Sequence, residues 1–156
     1  MRLRPRMLGK DLARRWVSRS MPGDGEGRRS RVLLEVPDGA EALAYWRLLT
    51  NNGYDVEWCP GPEGPPALRC PLVTSGHCEL IDRADVVVSA LGLDQEPCRH
   101  VIESRSRLHP ETPVVTQASR EAFTRWAELV EGDQPLPTPV CGEALLGSVQ
   151  DALADR

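Results

Sequence analysis

Apolar and polar positions along this chain alternate between two periods. Residues 32–36 (VLLEV) form a short apolar run of the length a central strand needs. Asp38 then offers an N-cap with Glu41 three positions later, a capping-box pair, and Ala40, Leu43, Ala44 and Leu48 follow at helical spacing. Residues 51–54 (NNGY) close that helix on a glycine able to take the left-handed conformation. Residues 54–58 alternate as a strand does. Residues 59–81 are too rich in Pro and Gly for a long helix and predict a helical turn or two at most. The near-continuous run at 84–92 (ADVVVSALG) predicts a strand buried on both faces. Residues 97–108 read as a helix with Pro97 in its first turn and Cys98, Val101, Ile102 and Leu108 on one side. Residues 112–119 predict a strand, and Ser119 caps a helix carrying Phe123, Trp126, Ala127 and Val130. A Pro-limited strand (134–140) and a helix (142–153) with Leu145, Val149, Ala152 and Leu153 inward complete the pattern.

Strands alternating with helices of crossover length require parallel pairing and cover on both faces. Five of them predict an α/β fold: a doubly wound, flavodoxin-like parallel sheet of order 2-1-3-4-5, with ligands expected at the carboxyl ends of the strands. The 156 residues suit one domain with an appendage. The body is assigned to residues 31–156, and residues 1–30 to a basic arm and Gly-rich linker. Within the arm, Leu8, Leu12 and Trp16 recur at helical spacing over residues 7–21.

Charge sharpens that division. The formal net charge is −4, yet residues 1–31 hold nine Arg and Lys10 against Asp11, Asp24 and Glu26, a balance of +7. The remaining nine basic and twenty acidic residues give −11. A basic arm on an acidic body points to nucleic acid or another acidic surface. The same balance fits an arm without fixed structure, one folded back on its own domain, or translation from Met21 with MPGDGEGRRSR as a short leader. No apolar run is long enough to span a bilayer, and the first thirty residues lack a signal-type apolar core, so the expected location is the cytoplasm.

In order and spacing, RVLLEVPDGAEALAYWRLLTNNGYDV, RADVVVSALG, TPVVTQAS and PLPTPVCGEALLGSVQDAL resemble the receiver domain of two-component response regulators over residues 31–155. The resemblance implies a signalling module, and it locates a set of departures. Where a receiver carries an acidic pair for Mg²⁺ after its first strand, this chain has Val36 and Pro37. The phospho-acceptor position is Ala90. The hydroxyl that follows the fourth strand falls at Ala118, with Thr116 and Ser119 nearby, and the lysine before the last proline is replaced by Thr138 before Pro139. Phosphoryl transfer runs on positioning and charge neutralisation. With pair, acceptor and lysine all absent, no phosphorylation and no Mg²⁺ are expected; a rescue through Glu35, Asp38 or Asp94 would need a shifted geometry. By the same resemblance, Phe123, Trp126, Val130, Leu136 and Pro139 would form an interaction face, although a Trp at that spacing is more often core.

The cysteines open a second line. Cys59, Cys70 and Cys78 lie in the irregular segment, with His77 beside the last, and Pro-restrained turns could gather them as a Zn or Fe–S site requires. Their spacing contains no C-x₂-C knuckle, and reduced, partly buried thiols are the plainer reading. Cys98 sits in a helix first turn, where N–H groups lower a thiol pKa, but reads more simply as apolar-face packing. Cys141 has no evident sequence partner. No Gly-rich phosphate loop and no G-x-S-x-G elbow occurs.

The leading expectation is a phosphorylation-independent regulatory module, not an enzyme and without a cofactor, that acts on an unidentified protein partner or as a homodimer. The alternatives are a cysteine-based metal or redox sensor on the same fold and nucleic-acid binding through the arm. All rest on one premise: a cleft of Val, Pro, Ala and Thr gathers neither a divalent cation nor a phosphoryl group. Several carboxylates and a cationic side chain around one point at the sheet's carboxyl edge would contradict it.

Overall fold

The computed structural model describes residues 27–64 and 69–156. The predicted arm helix, and with it the nucleic-acid reading, lies outside these residues. The described chain runs β1 (Arg31–Glu35), α1 (Gly39–Asn51), β2 (Asp55–Cys59), α2 (Pro71–Ser75), α3 (Glu79–Arg83), β3 (Val86–Ser89), α4 (Glu96–Leu108), β4 (Val114–Ala118), α5 (Arg120–Arg125), β5 (Gln134–Pro137) and α6 (Gly142–Ala154). The five strands are parallel in the order β2-β1-β3-β4-β5, as the alternation of elements predicts.

Alternation along each strand splits the core into two layers. Val32, Leu34 and Val36, Val86 and Val88, and Val115 meet Ala42 and Leu49 of α1 and Leu145, Val149 and Ala152 of α6. The intervening residues face the other layer: Leu33, Val87 and Val114 pack on Leu72 and Ile81, while Leu91 and Leu93 pack on Cys98, Val101 and Ile102 of α4. Because β1 and β3 are buried on both sides, their sequences read as runs rather than alternations. The register sets Glu35 beside Ser89 and Ser89 beside Thr116, a polar row crossing three strands near their carboxyl ends.

The ends of the helices follow local chemistry. Asp38 accepts the Glu41 N–H at 2.9 Å and starts α1, and Gly53, at φ +89°, lets the chain turn back toward β2. The capping box is not reciprocal, because the Glu41 carboxylate bonds Tyr45 and Gln117 instead. The buried stripe of α1 is Ala42 and Leu49, flanked by Tyr45 and Leu48, whereas Leu43 is 47% exposed, contrary to the predicted phase. In α4 the inward position expected of Leu108 is taken by Arg105, and Leu108 is exposed. α5 is shorter than predicted: the backbone leaves helical geometry at Trp126 (φ −114°, ψ 28°) and continues as turns to Asp133. Residues 59–81 yield two short helices, α2 and α3.

On β5 the Thr138 N–H donates to Ala118 O, so the nitrogens of Pro135 and Pro137 face the outer edge and offer no donor for further pairing. At the sheet's amino edge, Asp85 accepts from the Arg31 N–H at 2.8 Å, from Arg28 and from Arg156, drawing both ends of the described body together. Partial burial opposes that carboxylate, but these donors outweigh it and hold its pKa below 3.8. No helix of the described residues is long and apolar enough to cross a membrane.

Candidate functional site

The carboxyl rim of the sheet is where the fold would place chemistry. Val36 is fully buried in the α1/α6 layer, and Ala90 packs against the same layer. Ala118 packs toward α4, and Thr138 is exposed and joined to Pro139 by a cis peptide. The nearby polar groups have other partners. Asp38 caps α1, and Ser119 Oγ caps α5 by accepting the Ala122 N–H at 3.1 Å. Thr116 Oγ1 donates to Asp133 at 2.6 Å. On the α1 side, the Tyr45 hydroxyl lies 2.8 Å from Glu41 Oε1 and 2.7 Å from Gln117 Oε1, and Gln117 Nε2 donates to the same Glu41 oxygen. Burial, reinforced by Glu41, pushes the Tyr45 phenol up, so it remains a neutral donor.

Under α4 lies a cluster the apolar pattern did not announce. Arg105, 1% exposed, pairs through Nη1 with Glu35 Oε2, and its Nη2 stands 4.0 Å from Asp133 Oδ2. Thr116 and Ser89 complete the lining, both 1% exposed. Two carboxylates and a guanidinium therefore do converge near the sheet's carboxyl end, against the expectation of a charge-free site. The condition set against the premise is thus met on the α4 face of the sheet; on the other face, by strand alternation, Val36 and Ala90 turn toward α1 and α6 and carry no charge. The Glu35–Arg105 pair is closed from solvent, and Asp133 stands at the more open side of the cluster.

Cys59, Cys70 and Cys78 all border the apolar cluster of Leu33, Leu72 and Ile81. Among the described residues, however, no group of three or more His, Cys, Asp or Glu side chains is placed to hold a metal ion. The alternative thiolate ligand set is not in place to hold an ion in this arrangement, in which the three thiols pack against that apolar cluster. Burial pushes the Cys59 thiol up to about 11 and also raises Cys70 and Cys98, which keeps them protonated and weakly nucleophilic. Cys98 is fully buried and Cys141 exposed. His77 lies 3.0 Å from Asp82 rather than on a thiol.

The expected interaction face does not form as one surface. Leu136 is buried in the α1/α6 layer and Val130 in the α4 layer, with Phe123 packed beside it, while Pro139 is exposed. Trp126 is half-buried. Its Nε1 donates to Asp94 Oδ1 at 3.0 Å, and the Arg99 guanidinium stacks on its ring 4.4 Å from the centroid. The Trp126 and Arg125 bonds hold the exposed Asp94 carboxylate below its usual range. Beside this stack, Arg99, Glu103, Thr124, Arg125 and Leu129 line an open groove of about 650 Å³.

Sequence reasoning missed Arg105 and Asp133. A signal existed: Arg105 follows Cys98, Val101 and Ile102 at i+7, i+4 and i+3, so an inward stripe ends on a cation. Glu35, Ser89 and Thr116 likewise each interrupt an apolar strand run at matched register.

No protein-family model matches the chain, and no curated protein matches it. Solved structures do. The chemotaxis response regulator CheY4 of Vibrio cholerae is 18% identical at TM-score 0.59, covering 81% of this chain and 100% of its own. A CheY-like receiver domain protein from Methanospirillum hungatei JF-1 is 17% identical at TM-score 0.60, covering 82% of this chain and 96% of its own. A receiver domain protein from Clostridium thermocellum is 14% identical at TM-score 0.62, covering 81% and 95%. At these identities the likeness speaks to architecture: the body of this chain has the fold of a response-regulator receiver domain, a single doubly wound sheet of five parallel strands.

Proposed function

We propose that this chain is a receiver-like regulatory module that works without phosphoryl transfer, through contact with another protein. The observation that carries the reading is the fate of each acid able to replace the missing ones. Asp38 caps α1, Glu41 bonds Tyr45 and Gln117, Asp94 holds Trp126 and Arg125, Asp133 accepts from Thr116, and Glu35 is turned beneath α4 onto Arg105. None is left to the rim, where Val36, Pro37, Ala90 and Ala118 supply neither charge nor nucleophile. A transition state stabilised by charge neutralisation has nothing to bind there. Trp126 stacked by Arg99 supplies the contact chemistry: paired aromatic and guanidinium groups are the side chains that anchor protein interfaces.

Incubation of the full chain with acetyl phosphate and Mg²⁺, followed by intact mass measurement, tests the reading. The expected result is an unchanged mass. A stoichiometric phosphoryl adduct that disappears at alkaline pH, as an acyl phosphate does, would overturn it.

A further inference from the structure

Asp133 stands at the entry to β5, where the cluster under α4 meets the turns that follow α5. Glu35 acts on it from β1, Arg105 from α4 and Thr116 from β4, with Ser89 of β3 in register between Glu35 and Thr116; Glu35 and Arg105 are the charged groups facing it. Two carboxyl groups share one guanidinium. With both ionised, the cluster holds a net negative charge away from water, an arrangement that burial penalises strongly. One proton removes the imbalance.

Geometry selects the acceptor. Glu35 is in direct contact with Arg105, and its side chain is 6% exposed. Asp133 stands 4.0 Å from the guanidinium, and its side chain, 12% exposed, has the readier path to solvent. The cluster also has unused bonding capacity: Arg105 Nε and Nη2 and Ser89 Oγ are buried without a partner. It can therefore adopt a second arrangement: as it stands, Arg105 is committed to Glu35 and Asp133 is bonded to Thr116 alone, whereas an ionised Asp133 can close the 4.0 Å gap onto the free Nη2. Burial of Asp133 and the Glu35 charge both favour its protonated form, against Thr116 and Arg105. The thiols that feel the Glu35 charge, on Cys59, Cys70 and Cys98, are held protonated by burial and do not compete.

Asp133 is also mechanically connected. Its N–H donates to Val130 O, and the Val130 and Leu129 N–H groups both donate to Trp126 O. A shift at Asp133 thus passes through one run of turns to the residue that holds Asp94 and Arg99. We propose that the Glu35–Arg105–Asp133 cluster takes up one proton from the medium at Asp133 and thereby resets residues 126–133 and the Trp126 surface. The step adds a proton to a carboxylate oxygen and involves no other reactant. This inference does not rest on the proposed function, since it concerns the other layer of the sheet.

The test uses the full chain with Trp16, Trp46 and Trp58 replaced by Phe and His100→Gln, so that Trp126 emission is read without a nearby imidazole. The Asp133 carboxyl-carbon resonance is followed over the same pH series. The expected result is an emission transition that shares the Asp133 carboxyl midpoint, lies above the 3.8 of a free aspartate, is absent in Asp133→Asn, and is separate from the transition that Asp94 gives below that value. Thr116→Val, which removes the bond favouring the ionised form, should move the midpoint higher still and covers the case in which Asp133→Asn does not fold. An Asp133 midpoint at or below 3.8, a Trp126 transition unchanged in Asp133→Asn, or no shift in Thr116→Val would each overturn the proposal.

Discussion

Arg105 shows what a single position can decide. It continues the stripe that Cys98, Val101 and Ile102 begin, and the helix delivers its guanidinium into the layer where an apolar residue would be expected. A lone charge there would be intolerable, and Glu35, itself the polar residue in an apolar strand, makes the position viable. Removing one member leaves the other buried and unpaired, so Arg105→Met should cost about 3–5 kcal/mol in urea denaturation. Replacing both, Glu35→Leu with Arg105→Met, should recover most of that loss, since an apolar pair of similar volume is often neutral. A double variant no more stable than Arg105→Met would show that the two do not act as a pair. This pairing was not legible in the sequence, because Glu35 and Arg105 lie 70 positions apart and periodicity alone does not reveal which charges meet. What was legible is the residue type at Val36, Pro37, Ala90 and Thr138, which need only be read off the chain.

At the scale of elements, strands and long helices followed from short-range rules, and the exceptions have local causes. β1 and β3 declared themselves through burial on both faces, and α6 through Leu145, Val149 and Ala152. α5 stops early because the backbone turns out of helical geometry at Trp126, whose N–H still closes on Ala122 O while its indole bonds Asp94. Residues 59–81 resisted assignment because α2 and α3 are five residues each, shorter than periodicity resolves. Gly61 belongs to this segment for a steric reason: at φ +75°, an added Cβ would lie 2.6 Å from Leu91 Cδ2. The start of α1 offers a direct check. Asp38 supplies its cap without a reciprocal Glu41 bond, so Asp38→Ala should cost about 1 kcal/mol, visible as a lowered denaturation midpoint with an unchanged slope. A neutral substitution would mean that the Glu41–Tyr45–Gln117 network, not the cap, fixes this end of the helix.

The whole molecule has the architecture of a receiver domain, and the charges near the carboxyl ends of its strands are engaged within the fold. The rim layer is apolar from Val36 through Ala90, and the acids near it serve as a helix cap, an indole anchor and a buried ion pair. What the fold retains is a rigid parallel sheet that carries Trp126, Arg99 and Asp94 on one flank. The central claim is that this sheet edge gathers no divalent cation for phosphoryl chemistry, and a Mg²⁺ titration followed through the backbone amide resonances tests it most directly. The account predicts that the Val36, Asp38, Ala90 and Thr138 amides do not move through the millimolar range, with or without acetyl phosphate. Saturable shifts confined to those four amides would contradict it.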